Sequence, residues 1–330
     1  MLRSYPLLRP DPHGLITRQQ AMRAGLDDRD LRRLVRDGRL LPLRRGVYVV
    51  AERWDELDPF GGRALLRVRA AQLTLRCDHV LSHDSAALAL GLGVPDARRA
   101  LVHVTRRKVH GDAVRAGVKH HLAPYSDEQV IEVHGLRVLD APRTALDMAR
   151  EHGLAAGVAC CDAALRSGAT RSDVDRARAA MWCWPGSRVM DAAIDLADPG
   201  AESWLESEAR VLLLSLRIGR AQTQFGLTDG ARTVWCDLRI GRHIFEVDGW
   251  LKYTAELAPR RDPHETLRQE KMRQDFISGF KLGVSRITAD DCHGDREAAR
   301  RRLLREYADT CARFGTDISD LAPHVVRRRR

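Results

Sequence analysis

The sequence predicts a multidomain α/β protein, α+β overall, and three observations support that class. The chain has 330 residues, more than one hydrophobic core ordinarily organises, so two or three domains are expected. Its apolar periodicity is helical near the N-terminus, mixed through the middle, and alternates between long helices and strand-like pairs near the C-terminus. A break at Asp195-Leu-Ala-Asp-Pro-Gly-Ala-Glu-Ser203 then opens the last part. The segments that follow are 1–56, 57–197 and 198–330.

The formal net charge is +10 and the sequence pI is near 9.6, with arginine supplying most of the excess. A guanidinium offers a planar fork of donors to phosphate, so the balance points to a polyanion such as DNA. A GC-rich coding bias would raise arginine as well, so charge alone does not decide. The seven cysteines form no Cys-x-x-Cys pair and suit neither a disulfide framework nor a zinc ribbon. Residues Met1 to Pro12 lack the apolar core of a signal peptide. The longest apolar runs, such as Val211 to Leu216, fall far short of the ~20 residues that cross a bilayer. A cytoplasmic protein with no membrane partner is the expectation.

Thr17 is placed to cap a short helix through Ala24, which Gly25 breaks. Asp27 or Asp28 then caps a second helix ending at Gly38. Arg29, Arg32, Arg33 and Arg36 fall on one face of it, and Leu31, Leu34 and Val35 on the other. A hairpin follows, with Arg44-Arg45-Gly46 at its tip and Val47 to Val50 as its second strand. Two helices joined through a glycine turn and followed by a basic hairpin describe a winged helix-turn-helix. In that arrangement the second helix enters the major groove while Arg44 and Arg45 on the wing meet phosphate. Most charged helix faces are merely solvated; here the caps, the turn and the wing agree.

The run GLITRQQAMRAGLDDRDLRRLVRDGRLLPLRRGVYVV resembles the winged-helix domain of AbiEi-type antitoxins. That resemblance implies promoter binding, repression of the protein's own operon, and a cognate toxin as partner. The runs LSHDSAALALGL and APRTALDMA in the middle segment are similar to stretches in actinobacterial relatives of those antitoxins, and imply nothing about mechanism.

The middle segment reads as mixed α+β. Gly62 to Arg76 is helical, Ser82 caps a second helix, and Ala100 to Thr105 and Val118 to Leu122 are strand-like. Val130 to Val133 and Leu136 to Leu139 form a hairpin turned at His134-Gly135. His83, Asp84 and Ser85 are adjacent and cannot converge as a catalytic triad. On a strand His120 and His121 point to opposite faces, which makes them a poor metal pair.

In the last segment Ser203 caps a helix carrying Glu206. The strands Thr233 to Ile240 and His243 to Asp248 close at Gly241-Arg242, a two-residue turn of type II′. Counting back from Ile240 opposite His243 brings Asp237 level with Glu246, with Asp248 on the same face. Phe245, Val247, Leu238 and Cys236 read as the buried face. Facing like charges destabilise a sheet unless a cation neutralises them, and hard oxygen ligands suit Mg²⁺ (or Mn²⁺). Asp237, Glu246 and Asp248 are the expected metal ligands. Scattered acids on an exposed sheet edge are the plainer alternative.

The stretches ESWLESEAR, CDLRIGRHIFEVDGWLKY and RQEKMRQDFISGFKLGVSRITADD resemble the PD-(D/E)XK restriction-endonuclease-like superfamily, closest to its Vsr-like branch. The resemblance implies a restriction-endonuclease-like α/β domain, with Asp237 and Glu246 as the two motif acids and Glu206 as the acid of the leading helix. Ser203-x-x-Glu206 is also a capping box. The position of the usual catalytic lysine holds Asp248, so Lys252, or else Lys271, would take the basic role. Two functions remain open: a metal-dependent DNA endonuclease, or an antitoxin-like regulator carrying an inactive nuclease-like domain.

Overall fold

A computed structural model describes residues 7–97, 99–107, 113–248 and 263–326. The chain divides into two compact units, Met1–His152 with Arg176–Trp182, and Gly153–Asp175 with Cys183–Arg330.

The first unit opens with β1 (Leu15–Thr17), α1 (Arg18–Arg23), α2 (Asp28–Arg36), β2 (Leu40–Arg44) and β3 (Val47–Val50). Thr17 starts α1 with a reciprocal cap: its hydroxyl accepts from the Gln20 amide, and the Gln20 side chain accepts from the Thr17 amide. Asp27 is the cap of α2, with Asp30 reciprocating. Between the helices Gly25 adopts φ 84°, a left-handed conformation that costs glycine nothing. The strands form an antiparallel sheet in the order β1-β3-β2. Ile16, Ala21, Leu26, Leu31, Leu34 and Leu40 close a small core beneath the two helices.

After α3 (Ala51–Glu56), α4 (Gly62–Gln72) sets Leu66 and Ala70 against Leu15, Val47 and Val49 of that sheet. The rest of the unit runs β4 (Val80–Leu81), α5 (His83–Leu90), β5 (Val102–Arg106), β6 (Ala113–Arg115), β7 (Val118–Leu122), β8 (Val130–Val133), β9 (Leu136–Leu139) and α6 (Ala141–His152). Among the described residues these strands form one mixed sheet, β6-β7-β5-β4-β9-β8. The expected β8–β9 hairpin is present, with His134 and Gly135 both at positive φ. Ser82 stands at the N-cap of α5, but its hydroxyl does not cap the helix: it accepts from the Thr105 hydroxyl at 2.7 Å.

The second unit begins with α7 (Leu154–Arg166); α8 (Arg171–Ala180) is divided between the units, and α9 (Ser187–Leu196) and α10 (Trp204–Ser215) follow. Much of residues 153–197, read from sequence as part of the middle segment, clusters with the second unit. Buried Asp162 on α7 shows why. It accepts from the Asp198 amide at 2.6 Å, from Ser207 Oγ at 2.7 Å and from Arg210 Nη1 at 2.5 Å.

Then come β10 (Gln222–Thr228), β11 (Thr233–Ile240), β12 (His243–Asp248), α11 (Pro263–Gly279), β13 (Gly283–Thr288), α12 (Ala289–His293), α13 (Arg296–Phe314) and β14 (Val325–Val326). Among the described residues the sheet order is β13-β12-β11-β10-β14, with β12 and β13 parallel. Apolar residues cover both faces. Leu238, Ile240, Phe245 and Val247 pack with Leu212 of α10 and Leu303 of α13, while Phe225, Val234, Cys236 and Ile244 pack with Ile277 of α11. The architecture is therefore mixed α+β, a sheet between helical layers. All seven cysteines are free, and no helix among the described residues is long and apolar enough to cross a membrane.

Candidate nucleic-acid interface and acidic site

The apolar stripe of α2 is buried through Leu31 and Leu34, which turns Arg29, Arg32, Arg33 and Arg36 outward, all exposed. These arginines share the helix with acids. Arg18 on α1 binds Asp28 through two parallel bonds of 2.8 and 2.7 Å, and Arg33 binds Asp30 at 2.7 Å. Hydrogen bonds from the Asp30 and Arg29 amides hold Asp27 below the usual carboxylate range, with Arg29 and Arg32 adding their charges. Arg36 lies 3.7 Å from Asp37. With Asp28 and Asp30 each matched, the positive field of this face comes chiefly from Arg29 and Arg32, with Arg36 partly offset by Asp37.

The wing is short. Its tip, Arg45-Gly46, is tied back to α1 by the Arg18 amide donating to the Gly46 carbonyl at 2.8 Å. Arg45 is exposed, whereas Arg44 is half-buried at an irregularity in the β2–β3 ladder, and burial lowers its guanidinium below the ordinary value. Of the two wing arginines, Arg45 is the one fully presented to solvent.

In the second unit the hairpin closes as its turn requires. Gly241 has φ 54°, and Ile240 pairs with His243, Arg239 with Ile244 and Leu238 with Phe245. That ladder stops short of Asp237. On the other side of β11 the regular pairs are Thr223–Leu238 and Phe225–Cys236, with Gln224, level with Asp237, at φ 49°. The Asp237 carboxylate turns to the neighbouring strand and accepts from the Val247 amide at 2.8 Å. Cys236 and Leu238 consequently lie in different cores, one on the α11 side and one on the α10 side. The expectation of a single buried face opposite a single acidic face is corrected: both faces are buried, and the acids sit where the ladder is interrupted.

Glu246 lies close enough for its charge and that of Asp237 to oppose each other. Burial pushes the Glu246 carboxyl up to about 7; Asp237 adds to the rise and Arg273 resists it. Arg273, from α11, donates through Nη2 to both Glu246 oxygens at 2.9 and 2.8 Å and to the Trp235 carbonyl at 2.6 Å. Glu206 is raised mainly by burial, with Asp237 contributing, and its carboxylate is already engaged. It accepts from the Glu202 amide at 2.8 Å and from Ser203 Oγ at 2.9 Å.

Asp248 is not drawn into the same centre. Its side chain faces Arg286 at 3.8 Å, and Arg286 also binds Glu270. Among the described residues, Asp237, Glu246, Asp248 and Glu206 do not bring three ligand atoms within 4.8 Å of one another. Lys252 lies outside the described residues, and Lys271 is exposed on α11. The cations at these acids are arginines that the sequence reading passed over. Arg273 lies three and four residues before Phe276 and Ile277, both of which pack on the sheet. That helical spacing was a usable signal that Arg273 faces inward.

The sequence reading was right that His120 and His121 diverge, yet His121 joins His83 and His103 from other elements. Adjacency in sequence carried no information about that convergence.

Residues 5–51, the capped helix pair with its wing, match a family model described as a transcriptional regulator, AbiEi antitoxin. No curated protein matches the chain.

Proposed function

We propose that the protein is a DNA-binding regulator of the AbiEi-antitoxin kind, acting in a defence or toxin–antitoxin setting with a cognate toxin as partner. The observation that carries this reading is the exposed arginine face of α2 within a segment that matches antitoxin regulators. Arg29, Arg32 and Arg36 lie where a second helix meets the major groove, and Arg45 where a wing meets phosphate. The test is binding of the whole chain to a labelled duplex of the DNA preceding its own coding sequence, against a scrambled duplex, over a range of salt. Replacing Arg29, Arg32 and Arg36 together by alanine should flatten the dependence of log affinity on log salt by about 2 to 3. An unchanged slope removes this face from the interface.

A second reading, a Mg²⁺- or Mn²⁺-dependent endonuclease, is favoured by one observation: two carboxylates, Asp237 and Glu246, held close at a break in a sheet ladder. They suit a hard cation that keeps most of its water, and they are the residues that would hold it. Bound there, the cation would supply water activation and charge neutralisation. Asp237 is oriented by the Val247 amide, and Arg273 is positioned to take the cationic role of the absent motif lysine. Asp248, beside Arg286, does not serve as a third ligand on this reading. Mg²⁺-dependent nicking of supercoiled plasmid that disappears in Asp237→Ala supports an enzyme. No nicking by the wild-type chain, with DNA binding intact, leaves the regulator alone.

A further inference from the structure

The first unit contains a second cluster of titratable groups, distant in sequence from the arginine face. His83 begins α5, His103 lies on β5 and His121 on β7. Strands β5 and β7 are parallel with His103 beside Lys119 and Thr105 beside His121, so the period of two sets all four residues on one face. Val102, Val104 and Val118 occupy the other face and form an apolar core. The helix start at Ser82 lays His83 over the histidine face. The His83 and His121 rings stack at 3.7 Å with 11° between planes, and His103 Nδ1 stands 3.0 Å from His121 Nε2.

We propose that His83, His103 and His121 form a buried site for a transition-metal ion of the Zn²⁺ class. One nitrogen from each of the three rings lies within 4.8 Å of the others, and the residues are only 4, 2 and 6 % exposed. Around a tetrahedral Zn²⁺ neighbouring imidazole nitrogens stand about 3.3 Å apart, so the His103–His121 pair is near that spacing, and His83, within 4.8 Å of both, joins them by turning out of its stack on His121. Imidazole donors select borderline ions such as Zn²⁺, Co²⁺ or Cu²⁺ over Mg²⁺.

The surroundings fit a ligand set. Metal-bound histidines generally offer their second nitrogen to a carboxylate. Here Asp84 Oδ2, 3.8 Å from His103 Nε2, and Asp147 Oδ1, 3.9 Å from His83 Nε2, stand near those nitrogens but beyond hydrogen-bond distance, while His83 Nδ1 faces Ser82 Oγ at 3.0 Å. Asp84 is itself oriented by His152 Nε2 at 2.5 Å, and Asp147 by Arg143 at 3.0 Å. His83 also has φ 47°, a conformation seldom adopted by residues other than glycine and asparagine. The partly exposed Lys119–Glu151 pair and His152 lie nearest the cluster towards solvent. With ligands from α5, β5 and β7, the ion would fasten the helix to the sheet, a stabilising role that the DNA-binding reading does not require.

The experiment uses the full chain, stripped with chelator and titrated with Zn²⁺ by equilibrium dialysis and with Co²⁺ by visible absorption. One equivalent bound per chain is expected, with the intense ligand-field bands of tetrahedral Co²⁺. His103→Ala and His121→Gln should each lose that equivalent, while His293→Gln in the second unit, paired with Glu208, keeps it. Zn²⁺ should also raise the melting temperature of the wild-type chain. The Co²⁺ spectrum needs no variant to fold: weak octahedral bands, or no stoichiometric uptake, would overturn the proposal. Equal uptake by both histidine variants would do so too.

Discussion

The arginines of α2 stand in water, whereas Arg273 of the second unit is part-buried among acceptors. Arg29, Arg32 and Arg36 are exposed along a helix whose other face is the core. Arg273 is bound by two carboxylate oxygens and a backbone carbonyl. The contrast teaches how one side chain serves two purposes. An exposed guanidinium contributes little to folding and is available to a phosphate, while a part-buried one opposes the rise in pKa that burial imposes on a neighbouring acid. Three substitutions sharpen or break that contrast.

The largest effect at pH 8 is expected for Arg273→Ala. It strands Glu246 beside Asp237 in a site whose burial already disfavours charge. The loss should be about 2 to 3 kcal/mol, below the full value for a buried pair because Arg273 retains some exposure. Urea unfolding at pH 8 measures it, and a loss under about 1 kcal/mol would show that Arg273 is dispensable there.

The next concerns His243, buried on β12 between the Thr310 and Ser285 hydroxyls, each 2.7 Å from a ring nitrogen. Burial lowers its pKa to about 4. The unfolded chain therefore binds this proton near pH 6.5 and the folded chain only near pH 4. Stability from the neutral ring is complete above pH 6.5 and falls as pH drops through that window, by up to about 3 kcal/mol. His243→Gln should flatten this part of the pH–stability curve relative to wild type. Parallel curves for the two proteins between pH 6.5 and 4 would contradict the assignment.

The smallest effect on folding is expected for Arg32→Ala. Its side chain projects from α2 into solvent, so its unfolding free energy should stay within about 0.5 kcal/mol of wild type. A loss above 1 kcal/mol would mean that the arginine face is structural, and would weaken its claim to DNA.

Local features were legible without coordinates. The cap at Thr17, a cap at Asp27 or Asp28, the turns at His134-Gly135 and Gly241-Arg242, and α13 from Arg296 to Phe314 follow from capping chemistry, turn residues and helical periodicity, and the structure places the second cap at Asp27. The register of Ile240 with His243 followed from the turn as well. The break beside Asp237 did not, because Gln224, at φ 49° on another strand, has no local signature of that strain.

What the sequence determined by itself was everything set by neighbours a few residues apart: the helices, the hairpins, and the outward arginines of α2. The tertiary structure alone decided which distant charges meet. Arg273 rather than a lysine reaches Glu246, Arg286 takes Asp248, and three histidines from α5, β5 and β7 converge. The physical reason is that capping and periodicity act over one or two turns, whereas Coulomb and ligand geometry act through space and depend on how sheets and helices pack.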